Sequence, residues 1–89
     1  MSTHTSHPDI IKRLKRAEGH LRSIIAMMET GRSCLDVAQQ LQAVESAIGN
    51  AKRVLIHDHI DHCLDHAMQG DSKESAEAVR EFKEITKYL

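Results

Sequence analysis

Residues 57–66 read HDHIDHCLDH, which gathers four histidines, three aspartates and one of the chain's two cysteines into ten positions. Neutral imidazole and thiolate are the ligands that borderline transition metals prefer, whereas carboxylates alone would point to calcium or magnesium. Taken singly, any of these side chains is accounted for by a solvated, histidine-rich helix face. The cluster as a whole is harder to account for in that way. His59 and Cys63 stand four apart, so on a helix they share a face and can share a metal ion, with His62 and His66 flanking that face. The other cysteine, Cys34, lies 25 positions before His59, and His4 and His7 precede the first periodic segment.

The elements that must position these groups are helices. Apolar residues recur at three-and-four spacing from Asp9 to Glu29 (Ile10, Ile11, Leu14, Ala17, Leu21, Ile24, Ile25, Met28), which predicts a first helix with Pro8 at its start and TGR at its end. A second periodic run goes from Ser33 to Met68, and a third, shorter one from Lys73 to Tyr88 carries Ala76, Val79, Phe82 and Ile85. The expected fold is therefore all-α, with a long central helix. A single domain over residues 9–89 would follow a flexible, histidine-containing tail at 1–8.

Gly49 and Asn50 offer the one place where the long segment could fold into a hairpin, but a lone glycine is tolerated inside a helix and no proline supports a turn there. On an unbroken helix, 25 residues rise about 38 Å. Cys34 and His59 of one chain would then be too far apart for one ion. Two copies running antiparallel would bring Cys34 of one beside His59 and Cys63 of the other, giving two equivalent sites per two-fold dimer. With 89 residues, a chain of this kind has a marginal core of its own, and self-association is expected.

Composition excludes several function classes. Phe82 and Tyr88 are the only aromatic residues, so the chain lacks both a deep aromatic ligand pocket and a stacking platform for single-stranded nucleic acid. No stretch approaches the roughly 20 apolar residues that span a membrane, and the first residues do not resemble a signal peptide, which points to the cytoplasm and to cysteines held as thiols or metal ligands. No nucleophile stands beside a base at local spacing and no glycine-rich phosphate loop is present, so an enzyme is not expected. The net charge of -1 hides an uneven distribution: KRLKRAEGHLR sets Lys12, Arg13, Lys15, Arg16 and Arg22 against Glu18 alone, while acids gather after His57. A basic helix face can hold DNA phosphates, although more often it is only a soluble surface.

IIKRLKRAEGHLRSII, CLDVAQQLQAV and the His59/Cys63 pair together resemble the CsoR/RcnR family of bacterial metal-sensing repressors over nearly the whole chain, from Asp9 to the last helix. The resemblance implies an all-helical homodimer that pairs into a homotetramer. Such an assembly binds double-stranded promoter DNA in the apo form and releases it when metal binds between two chains. It assigns Cys34, His59 and Cys63 as ligands, a set similar to that of the copper(I) sensors. The family's nickel sensors add an N-terminal histidine or the amino terminus, a part that His7 or His4 could take here. With that tail, and with HPDIIKRLKRAEGHLRS and DHCLDH, the chain looks most like the nickel-resistance regulators of the NreA type, which implies Ni(II), with Co(II) and Cu(I) as alternatives. Where many members carry an arginine in the second helix this chain has Glu45, so the DNA contacts are assigned to Arg13 and Arg16, with Lys12 and Lys15 in support. A cytosolic metal buffer without DNA binding is the reading from another class.

Overall fold

The computed structural model describes residues 7–69 and 72–89, apart from the side chains at 63, 66, 67, 69, 72 and 74. Three α-helices follow one another: α1 (His7–Glu29), α2 (Cys34–Gln69) and α3 (Ser72–Ile85), the last tightening into a 3₁₀ turn at Thr86–Tyr88. The expected all-α architecture is present. Helix α1 starts two residues before the apolar period does, with Pro8 in its first turn, where the missing N–H removes no intrahelical bond.

Local chemistry explains the tight connection between the first two helices. Gly31 adopts φ +78°, a left-handed conformation in which a side chain would be strained. It lets the amides of Gly31 and Arg32 donate to the carbonyls of Met28 and Met27 at 3.2 and 2.9 Å, the Schellman arrangement that satisfies the end of α1. Ser33 then caps α2, its Oγ accepting from the Asp36 amide at 3.2 Å. Helix α2 runs for 36 residues, through Gly49 and Asn50 without interruption, so the hairpin considered from the sequence does not form.

The described residues fall into two compact units, one comprising Pro8–Lys52 and the other Arg53–Leu89 with His7. In the first, α1 runs antiparallel to the start of α2. Its buried residues are seven apart in each helix: Ile10, Ala17 and Ile24 in α1, then Val37, Val44 and Ala51 in α2. Ile24, Val37 and Val44 form one cluster with Met27 against it. A repeat of seven is the signature of helices packed side by side at a shallow angle. Each buried isoleucine or valine stabilises this pairing by about 1.5–3 kcal/mol. A second row with the same spacing stays exposed: Leu14, Leu21 and Met28 on α1, Leu41 and Ile48 on α2. In the second unit, Ile56 and Ala78 are buried, whereas Leu64, Met68 and Val79 are exposed. No described helix is long and apolar enough to cross a membrane.

Candidate functional site

Cys34 is the first residue of α2, set there by the Ser33 cap, and its thiol is free and exposed. His59 lies 25 residues further along the same helix, its side chain only 25% exposed. Its Nε2 stands 3.3 Å from Oε2 of Glu81 on α3. An open cavity of about 590 Å³ adjoins this pair, lined by His59, Glu81, Arg80, Glu84, Ile85 and Tyr88. Glu84 is drawn toward Lys87 at 3.2 Å.

Glu81 did not emerge from the sequence. Asp58, Asp61 and Asp65, which neighbour His59 on its own helix, are the acids that spacing alone offers as partners for a ligating imidazole. A carboxylate 22 positions away on another helix has no local signature, because only the packing of α3 brings it there. A carboxylate on one ring nitrogen fixes the orientation of an imidazole and directs the other nitrogen toward a metal.

Of the other expected ligands, His7 is the first residue of α1, half-buried, and belongs to the compact unit that contains His59. His4 and the side chains of Cys63 and His66 lie outside the described residues. His57 is exposed and His62 half-buried. Among the described residues, no three His, Cys, Asp or Glu side chains come together as a metal site within one chain.

The expected DNA-binding residues divide into two kinds. Lys12, Lys15 and Arg16 are exposed and, among the described residues, have no ion-pair partner. Arg13 donates to Asp9 at 2.9 Å, and Arg22 lies 3.3 Å from Glu18. Both are exposed i,i+4 pairs, each worth about 0.3–0.5 kcal/mol, little enough for a phosphate to displace the carboxylate. His20 is half-buried, and its Nε2 lies 2.6 Å from Oε1 of Gln40, joining α1 to α2.

A family profile described as metal-sensitive transcriptional repressor matches residues 6–88. The chain belongs to this family. Its members are regulators of transcription rather than enzymes. Among relatives in the family, the copper-sensing transcriptional repressor CsoR of Bacillus subtilis (strain 168) is 40% identical over 80 residues, covering 88% of this chain and 79% of that one. CsoR of Mycobacterium ulcerans (strain Agy99) is 45% identical over 58 residues, 65% of this chain, and the match spans half of that protein's length. Among solved structures, the nickel-responsive transcriptional regulator InrS matches with a TM-score of 0.82 and 28% identity, over 100% of this chain and 99% of that one. The family's fold, three helices with a long central one, is the fold described above.

Proposed function

We propose that this member of the metal-sensitive repressor family is a nickel sensor. The apo protein holds promoter DNA, and Ni(II) bound between two chains releases it, so that metal efflux or resistance genes are expressed. The observation that carries the nickel reading is the full-length likeness to a nickel-responsive regulator. The donor chemistry fits: two thiolates and one or two imidazoles form a set suited to Ni(II), with Co(II) also accommodated.

In this reading Cys34 of one chain faces His59 and Cys63 of its partner, with His7 or His4 completing the set. Glu81 lies on the Nε2 side of His59, where it would steady the ring for metal ligation. Bound Ni(II) would supply the charge that draws these donors together. Movement of His59 is passed to α3 through Glu81, and the cost to DNA binding is a coupling energy of typically about 1–3 kcal/mol. Lys12, Lys15 and Arg16 face DNA phosphates, joined by Arg13 once it exchanges Asp9 for phosphate. The exposed row of Leu14, Leu21, Leu41 and Ile48 supplies the apolar surface for an antiparallel homodimer, and for a homotetramer built from two. The protein works in the cytoplasm, with residues 9–89 acting as one sensing and DNA-binding domain behind the N-terminal histidines at 1–8.

The second reading is a Cu(I) sensor, favoured by the copper-sensing relatives and by the Cys-His-Cys set taken alone. The test is an anaerobic titration of the reduced protein with Ni(II) and, separately, Cu(I), reading the absorption spectrum and the anisotropy of a labelled duplex from its own promoter. A thiolate-to-nickel charge-transfer band that develops together with DNA release supports the nickel reading. Release by Cu(I) alone moves the protein to copper, and binding of either metal without release makes it a metal buffer.

A further inference from the structure

Gly19 stands in the interior of α1, in ordinary helical conformation, where glycine is the least favourable residue after proline. Nothing within the chain calls for it. A Cβ built at Gly19 meets no atom within 4 Å, and its φ is not in the left-handed region. At 100° per residue, Gly19 points almost directly away from the buried row of Ile10, Ala17 and Ile24. Lys12, Lys15, Arg16, Arg22 and Ser23 lie within about 60° of it on the same face. Ser23, the side chain best placed to overhang the glycine, is turned back so that its Oγ donates to the Gly19 carbonyl at 3.3 Å. The result is a bare stretch of helix backbone ringed by cations.

We propose that Gly19 is the point of closest approach between the protein and the phosphodiester backbone of duplex DNA, its missing side chain letting the surrounding lysines and arginines reach phosphates on both sides. This rests on the DNA-binding reading above. The charge of the ring selects the occupant: a second copy of this face would set cations against cations, whereas duplex phosphates complement Lys12, Lys15 and Arg16, which have no ion-pair partner among the described residues. A methyl or larger group at position 19 would hold the duplex away from the whole ring. All the charge–phosphate distances would then lengthen together, and no single contact would be deleted.

The test uses the full chain carrying Gly19→Ala or Gly19→Leu, with apo DNA affinity measured by anisotropy at several salt concentrations. Both variants gain helix propensity, so melting temperature should rise by roughly 2–5 °C. Apo DNA affinity should fall about tenfold in the alanine variant and about 100-fold in the leucine variant. Because the weakened contacts are electrostatic, the salt slope should fall in step, by about one in the alanine variant and about two in the leucine variant, although no cation has been removed. Ni(II) titration and assembly mass should be unchanged. Unaltered DNA affinity in Gly19→Leu overturns the proposal while leaving the repressor reading intact. A change in assembly mass also overturns it, because the glycine face would then be a contact between copies. Wild-type protein that binds no duplex at all removes the repressor reading itself.

Discussion

The unit of Pro8–Lys52 and the unit built around Arg53–Leu89 come from one run of helix-forming sequence, yet they differ in what they bury and in the charge they carry. The first holds six buried apolar residues at seven-residue spacing, together with seven lysines and arginines against five acids. The second buries Ile56 and Ala78 among its described residues, and segment 53–89 sets eight acids against five bases. The first is a helical hairpin that closes its own core and presents positive charge. The second carries His59, held by Glu81, among the candidate metal ligands, and leaves Leu64, Met68 and Val79 exposed. In the proposed sensor such a division would be useful, the self-packed unit offering a firm surface to DNA and the less packed unit being freer to respond to metal and partner.

The comparison breaks most readily at the hairpin core. Ile24 is 2% exposed, and Ile24→Ala should cost about 2–5 kcal/mol, read from urea unfolding followed by helical circular dichroism. Leu21→Asp, three residues away in the exposed row, should preserve the helical signal and lower the assembly mass in sedimentation. Equal loss of helix in both variants would mean that the two rows are not distinct. At the other unit, Cys63→Ala should weaken Ni(II) binding by more than about 100-fold while apo DNA affinity stays within about twofold, since a lost ligand should exceed the loss from an outer partner. Conversely, Lys12→Ala with Arg16→Ala should weaken DNA binding and reduce the salt slope by about two, with Ni(II) affinity unmoved. Glu81→Gln should weaken Ni(II) binding about 10-fold or more without altering helix content. The least residue-specific effect is that of pH: thiolates and imidazoles must lose their protons to bind, so Ni(II) affinity should decline steadily as pH is lowered from 8 to about 6. Affinity independent of pH across that range would remove cysteine and histidine from the site.

Much of this protein is legible in the chain itself. Three helices, the break at TGR and the unbroken α2 follow from apolar spacing, the glycine of TGR and the absence of proline after Pro8, all local effects. The candidate ligands Cys34, His59 and Cys63 and the basic run of α1 are visible because residue type and spacing along one helix suffice to set them on a face. The sequence also carried the family resemblance that the profile over residues 6–88 bears out. Spacing does not, however, separate the apolar residues of α1 from one another. Ile10, Ala17 and Ile24 are buried against α2, while Leu14, Leu21 and Met28, equally apolar and equally spaced, are not. Periodicity marks which residues avoid water but cannot say which neighbour covers them. Tertiary structure alone made that choice and paired His59 with Glu81 and His20 with Gln40. Each of these depends on which helix faces lie together or which rotamer a side chain takes, and neither is written in the spacing of residues along one helix.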